Sequence, residues 1–370
     1  MARKIKRRVQ PLTDNKPRGY VLVVIALILS LVGLVFVFEA SSIRALQAFG
    51  DSFHYLKLQM RWLLIGSLAM WFFSMFSYQK LFRLGFPILL ATYALLLIVL
   101  IPGIGSRVGG TRGWIDLGIV TVQPSELARL ALILYLSSWF TKKEFSFMGF
   151  ALIMGSLIGL LLLQPDLGAS IIIASLGIAL YVLAGKKAKS LFLFLPVGAV
   201  ALVGLIMAAP YRLRRIAAFL DPSQDPLGVG FHVNQILISL SEGGIFGRGF
   251  GASRQKYLFL PEAHTDSIFA IIGEEMGFAG SFVLIMLYAF FLYKLYQLYN
   301  AVTDQFGKLL IGGIFVYFAM QIMVNLGGMV NIIPLTGVTL PFISYGGNSM
   351  IISFVFLGIA LNVAKTVKKS

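Results

Sequence analysis

Between Leu258 and Phe278 the chain reads LFLPEAHTDSIFAIIGEEMGF, and its proton-exchanging residues are placed unevenly. Pro261 to Asp266 is a polar run. From Ser267 to about Phe291 the only charged residues are Glu274 and Glu275. An apolar run of that length crosses a bilayer as a helix. Asp266 is therefore expected at the mouth of a membrane helix, with Glu274 and Glu275 about two turns deeper, roughly 12 Å at 1.5 Å per residue. Carboxylates at membrane depth are costly and are usually functional, and a carboxylate facing water there has the chemistry of a general base. The plainer reading is that Asp266 caps the helix N-terminus, a task Asp does well. Position alone leaves both open.

Composition says what elements must carry these residues. The 370-residue chain is 58% hydrophobic with a mean hydropathy of +0.87. Only 12% of it is charged, against roughly 25% in soluble domains. The fold expected is an all-α polytopic membrane protein. Cysteine is absent, which removes disulfides and thiolate metal sites. The histidines, His54, His232 and His264, are scattered, and no zincin, Walker or dinucleotide motif stands in a supporting context. The net charge of +16 points to cytoplasmic loops and anionic lipid rather than nucleic acid.

Ten transmembrane helices are expected. A basic tail, 1–19, precedes them, and seven helices fill 20–209: about 20–38, 59–77, 84–101, 124–140, 147–163, 168–184 and 191–209. A large outer segment, 210–266, follows. Three more helices lie within 267–363, at about 267–291, 308–330 and 346–363, before a short basic tail, 364–370. Gly103 to Gln123 reads as a Gly-rich outer loop. An inside N-terminus then puts both termini in the cytoplasm. Most of the 31 Lys and Arg fall on the inner side, but of the 15 acids only Asp14, Glu144 and Asp304 do, as the positive-inside rule requires. The basic residues left outside, mixed with acids, mark either a site or loop salt bridges.

Four outer or membrane-depth groups could converge. Arg112, with Arg107, Trp114 and Asp116, could bind a phosphate or stack a sugar, or Trp114 could be an interfacial anchor. Glu126 and Arg129, at i and i+3, could pair and so tolerate burial; alternatively Arg129 meets a ligand phosphate. Gln164-Pro165-Asp166 breaks a helix and exposes carbonyls, or is a plain turn. In the outer segment, Tyr211 to Leu220 (YRLRRIAAFL) reads as an interfacial amphipathic helix carrying Arg212, Arg214 and Arg215, and Phe231 to Leu240 is again helical in pattern. Arg248 lies in the Gly-rich GGIFGRGFG, Arg254 and Lys256 just before the Asp266 run. One carboxylate amid these cations suits an anionic, lipid-linked substrate.

FLDPSQDPLGVGFHVNQ, GASRQKYLFLPEAHTDSIFAIIGEEMGF, GWIDLGIVTVQPSELARL, QPDLGAS and TGVTLPFISYGGNSM resemble the SEDS (shape, elongation, division, sporulation) family, in family order from about Tyr20 to Val363. The AHTDSIFAIIGEE and TLPFISYGG wordings look more like its division member, FtsW, than its elongation member, RodA. The resemblance implies a ten-helix inverting glycosyltransferase of the cytoplasmic membrane, at the division septum. Such an enzyme polymerises lipid II into peptidoglycan strands on the outer face, beside a class B penicillin-binding protein. It places the family's essential loop aspartate on Asp266, with Trp114, Gln123, Glu126, Gln164 and Asp166 lining a central cavity. The family usually has Lys where this chain has Arg129, which exchanges a compact charge for a planar fork. Arg112, Arg215, Arg248 and Arg254 are the candidates for diphosphate contact, and His264 and Thr265 join the substrate-binding set. A divalent cation, Mg or Mn, could bridge the diphosphate, although no metal-ligand spacing is recognisable. The alternatives are a lipid II flippase, which helix breaks would suit, and a non-catalytic division scaffold.

Overall fold

The structure, a computed structural model, describes residues 19–108, 111–118, 121–142, 144–187, 189–191, 210–222, 228–257 and 259–367. The basic tail up to Arg18, the expected seventh helix from Phe192 on, and Lys368 and Lys369 lie outside the described residues. Among those described are eleven helices and one small sheet. α1 spans Gly19–Phe49, α2 His54–Met75 and α3 Tyr78–Ile98; β1 Gly105–Val108, β2 Thr111–Asp116 and β3 Thr121–Val122 follow. α4 is Pro124–Phe140, α5 Phe147–Leu163, α6 Leu167–Leu183, α7 Pro210–Leu220 and α8 Val229–Glu242. α9 runs Ile268–Ala301, α10 Gln305–Met329 and α11 Gly347–Val367.

Five helices, α1, α3, α9, α10 and α11, are long and apolar enough to cross a membrane; α5 and α6 are apolar at 17 residues each. Within their most apolar stretches α10 and α11 are 67% buried and α9 only 22%. α10 and α11, with the largely buried α4, form the core. The outer helices leave whole apolar faces uncovered, such as Leu64, Leu68, Trp71, Phe72 and Met75 on α2. A chain folding in water would not leave so much apolar surface bare; lipid is the solvent that suits it.

Local chemistry explains most boundaries. α4 opens with Pro124 at its first position and Glu126 in its first turn, as helix N-termini favour. Ser146, Asp166 and Asp304 cap α5, α6 and α10 by accepting from the amides of Gly149, Ala169 and Gly307. Three expectations need correction. α1 does not stop near Phe38, because the Glu39 carboxylate accepts from Lys256 Nζ at 2.7 Å and its charge is met within the fold. The described parts of the Gly103–Gln123 loop hold an antiparallel sheet, β1-β2-β3, with Ser106 opposite Trp114 and Ile115 opposite Val122.

The third correction concerns the helix after Asp266. α9 is broken at Gly277, which adopts φ 65°, ψ −165°. The backbone groups freed there are met by the Gly-rich turn: Phe278 and Ala279 amides donate to the Gly244 and Ile245 carbonyls at 2.9 Å. The Arg248 and Gly249 amides donate to Glu274 and Glu275 carbonyls at 3.0 and 3.1 Å. Residues 278–301 alone reach about 36 Å at 1.5 Å per residue, enough to span. Glu274 and Glu275 lie on the short helical piece ahead of the break, and the longer piece carries no acidic residue.

Basic residues gather at one end of the bundle. Lys80 and Arg83 lie near the start of α3, Lys142 follows α4, Lys186 and Lys187 follow α6, and Lys365 lies in the last turn of α11. Tyr78 ties these ends together: its amide donates to Asn362 Oδ1 at 3.0 Å and its hydroxyl to Asp304 Oδ2 at 3.3 Å. Asp266, Glu126 and Asp166 belong to the opposite helix ends. Because a Cβ at position 277 would collide with the Gly247 amide, Gly277→Ala is expected to cost about 3 kcal/mol or more. Gly103→Ala, also at positive φ but in open space, should cost only about 1–2 kcal/mol. Thermal unfolding of both purified variants checks the difference.

Candidate functional site

Asp266 is the penultimate residue before α9, in a tight turn built on Glu262. Glu262 has φ 49°, and its carbonyl accepts from the Thr265 and Ser267 amides at 3.1 and 3.3 Å. The N-cap of α9 is Ser267, without a side-chain capping bond, so Asp266 does not cap the helix. The residue is 9% exposed, and its carboxylate makes no ion pair within 4 Å among the described residues. Thr265 Oγ1 lies 3.2 Å from Asp266 Oδ1, 3.1 Å from Glu262 Oε2 and 3.0 Å from the Glu262 carbonyl. One hydroxyl proton cannot serve three acceptors at once. Burial therefore pushes the Asp266 carboxyl up to about 6, with the Glu262 charge raising it further and Thr265 and the Arg215 charge pulling it down.

The backbone beneath the carboxylate is fixed from α10. Buried Asn325 donates through Nδ2 to both the Asp266 carbonyl and the Val338 carbonyl, each at 2.8 Å. Gly337 faces Asp266 Oδ2, and Arg215 on α7 reaches the same segment, 3.4 Å from the Leu335 carbonyl. His264 is buried between Tyr55 and Tyr345, ring centroids 4.5 and 5.5 Å away, while its carbonyl accepts from the Tyr345 amide at 2.9 Å. Burial, with help from the Arg44 charge, lowers the His264 ring to about 4, so it is neutral at neutral pH. A cavity of about 360 Å³ opens alongside, lined by Arg44, Lys256, Pro261, Glu262 and His264.

A second polar cluster sits at the start of α4. Arg129 Nη1 donates to Glu126 Oε1 at 2.6 Å, both side chains nearly sealed from solvent. The charge of Asp166 and the hydroxyl of Tyr317 act on the pair. Gln164 is fully buried, donating to the Leu96 carbonyl at 3.0 Å, with Oε1 near Gly113 in β2. Trp114 and Arg112 flank Gly113, and the Arg112 guanidinium reaches the Leu100 carbonyl at 3.4 Å. Gln123, extended and half-buried, precedes α4. Asp166 spends one oxygen on the Ala169 amide at 2.9 Å, so that break is a capped helix start. The clusters meet at 336–338: Gly168, just after Asp166, packs on Thr336 and Val338, and Gly337 faces Asp266.

Two other expectations change. Glu274 and Glu275 are structural ties: Glu274 accepts from Ser253 Oγ at 2.6 Å and the Arg254 amide at 2.8 Å. Glu275 accepts from the Ser253 amide at 3.3 Å and Lys256 Nζ at 3.5 Å. Of the expected arginines, Arg215 acts on Asp266. Arg248 is ion-paired with Glu242, and Arg254 is exposed beside the Glu274 tie; of Arg212 and Arg214 the side chains lie outside what is described. Asn325, Glu262 and Gly337 carry parts of the site that sequence reasoning assigned to no role. The signal for Glu262 was its place in the polar run; Asn325, a buried amide in a largely apolar helix, was the other.

The raised Asp266 carboxyl has a stability consequence. The folded chain holds a proton that the unfolded chain, at an ordinary 3.8, releases. Stability from this group is therefore present below about 4 and is lost as pH rises from about 4 to about 6. Asp266→Asn should consequently unfold at a higher temperature than the parent at pH 7.5, by up to about 3 kcal/mol, with the gap shrinking towards pH 4.5. Unfolding midpoints across that range check it; a parent at least as stable at pH 7.5 contradicts the electrostatics.

Residues 20–369 match the model of the FtsW, RodA and SpoVE family, described as cell cycle proteins. Stage V sporulation protein E of Bacillus subtilis (strain 168) is 38% identical over 361 residues, covering 95% of this chain and 98% of that protein. The protein named Probable peptidoglycan glycosyltransferase FtsW of Geobacter sp. (strain M18) is 39% identical over 366 residues, covering 96% and 99%. Among solved structures, Rod shape determining protein RodA of Thermus thermophilus matches with a TM-score of 0.69 at 28% identity, over 94% of this chain and 96% of its own. A chain from a peptidoglycan synthase complex, described for its structural coordination of polymerization and crosslinking, matches with a TM-score of 0.77 at 29% identity, over 95% and 98%. FtsW-like wording in the sequence is thus met by relatives of that name, and the chain belongs to the FtsW/RodA/SpoVE family.

Proposed function

We propose that this protein is an inverting peptidoglycan glycosyltransferase of the cytoplasmic membrane that polymerises lipid II during cell division, with Asp266 as its base. The observation that carries the reading is a buried carboxylate left without an ion pair among the described residues and pushed up to about 6, at the end of the bundle opposite the basic helix ends. A base poised near neutrality takes a proton most effectively. The relatives' names supply the reaction class, and the basic helix ends support an inner side opposite Asp266. Ten membrane helices with both termini in the cytoplasm complete the proposed arrangement.

In the proposed step, Asp266 takes the proton of the 4-hydroxyl of N-acetylglucosamine on an incoming lipid II. That oxygen bonds to C1 of the muramyl sugar at the end of the lipid-linked strand as the C1–oxygen bond to undecaprenyl diphosphate breaks. A single base suffices, in contrast to the paired carboxylates of glycosidases. Arg215, whose charge reaches Asp266, and Arg44, in the adjoining cavity, are placed to meet negative charge on the departing diphosphate. Glu126, Arg129, Gln164 and Asp166, with Trp114 and Gln123, would shape the central cavity next to the 336–338 segment. Among the described residues there is no cluster of three or more His, Cys, Asp or Glu that could hold a metal. A class B penicillin-binding protein is the proposed partner, since a matching chain belongs to a complex described as coordinating polymerization and crosslinking, and the septum is the proposed place of work.

Purified protein given purified lipid II, with and without the partner, should form glycan strands, and Asp266→Ala should reduce the rate at least about a hundredfold. Equal strand formation by the two removes Asp266 as base; lipid II translocation without polymer would favour the flippase. In the active protein kcat/KM should rise about tenfold per pH unit up to about 6 and then level. Asn325→Ala, which leaves two buried carbonyls without their donor, should lower stability by about 1–3 kcal/mol. It should also lower kcat more than it raises KM, because Asn325 fixes the backbone of the base and touches no substrate.

A further inference from the structure

At the basic end of the bundle, away from Asp266, α3 and α4 border a cavity of about 730 Å³. Gly85 brings the two helices together: a Cβ there would lie 3.0 Å from the Leu134 carbonyl oxygen and 3.0 Å from Tyr135 Cα. Beside that contact the wall is aromatic, formed by Phe82, Phe86, Tyr135 and Trp139. The Phe86 and Tyr135 rings are 6.2 Å apart and those of Tyr135 and Trp139 5.6 Å. Arg83 and Lys142 line the same cavity, both exposed, with Lys142 Nζ 5.9 Å above the Phe82 ring. Neither makes an ion pair among the described residues, even though Glu144 also lies at the lip.

We propose that this cavity is a binding site for an anionic phospholipid, its phosphate held between Arg83 and Lys142 and its chains lying over Phe86 and Trp139. Charge and burial both favour that occupant. Two unpaired cations at the basic ends of membrane helices stand at headgroup level, where Lys and Arg attract anionic lipid. Phe86 is 61% exposed, so the wall needs an apolar cover that free phosphate cannot give. A zwitterionic lipid brings a cation of its own next to two others and gains less. The site is separate from the proposed reaction and stands or falls without it.

The probe is dibrominated dioleoylphosphatidylglycerol, compared with dibrominated dioleoylphosphatidylcholine, mixed into phosphatidylcholine bilayers holding the full-length protein. Bromine quenches tryptophan at contact, and subtracting the signal of Trp139→Phe isolates Trp139. Phosphatidylglycerol should quench Trp139 at a mole fraction roughly tenfold lower than phosphatidylcholine. The double variant R83Q/K142Q should lose that preference, and millimolar inorganic phosphate should not restore fluorescence. Equal quenching by the two lipids, an unchanged preference in the double variant, or full displacement by inorganic phosphate would each overturn the proposal. Should the double variant fail to fold, Glu144→Gln serves instead: removing the negative charge at the lip should raise the preference several-fold, and no change would overturn it.

Discussion

The site depends on keeping one carboxylate dry and without a cation. Desolvating a charge is expensive unless it is paired, and the Asp266 neighbours do not pair it: Glu262 repels it, Thr265 divides one proton among three acceptors, and Arg215 acts without a contact ion pair. That arrangement persists because the backbone around it is held elsewhere. Asn325 clamps the Asp266 and Val338 carbonyls, the Tyr345 amide takes the His264 carbonyl, and α9 starts from Ser267, not from Asp266. Rigidity comes from groups that leave the reactive oxygens free, which is how a functional side chain is preorganised.

The other buried carboxylates make the contrast. Glu126 has Arg129 at 2.6 Å. Glu274 and Glu275 have a serine hydroxyl, two backbone amides and Lys256. Each is compensated and acts as a fastener: Glu126–Arg129 secures the head of α4, and the α9 pair anchors the 248–256 segment where Gly277 breaks the helix. Lys256, bonded also to Glu39, ties that segment to α1. The chain thus spends charge on architecture in two places and withholds compensation in one.

Much of this was legible from residue types. α4 and α5 begin and end where Pro124, Glu126 and the apolar runs indicate, YRLRRIAAFL is helical, and the i, i+3 spacing of Glu126 and Arg129 is a real pair. What escaped was decided by partners distant in sequence. Glu39 looks like a helix stop until Lys256, 217 residues away, meets it. A Gly-rich stretch reads as loop because strand register depends on pairing, not on local propensity. The break in α9 has no proline to announce it, only a glycine whose left-handed φ fits a turn 30 residues upstream. Glu274 and Glu275 stood out by depth, but their partners, Ser253, Arg254 and Lys256, lie about 20 residues upstream and could be assigned only in the fold. Asp266 was recognisable as special, while Asn325 could be understood only once α10 lay against it.

The central claim is an unpaired, desolvated carboxyl at position 266, and infrared difference spectroscopy measures it most directly. A pH titration of the purified protein, with Asp266→Asn subtracted, isolates the protonated-carboxyl stretch of that one residue. The account predicts a band that disappears with a midpoint of about 6. A midpoint near the ordinary 3.8, or no band attributable to Asp266 at any pH above it, would mean that the carboxylate is solvated or paired, and would contradict the account.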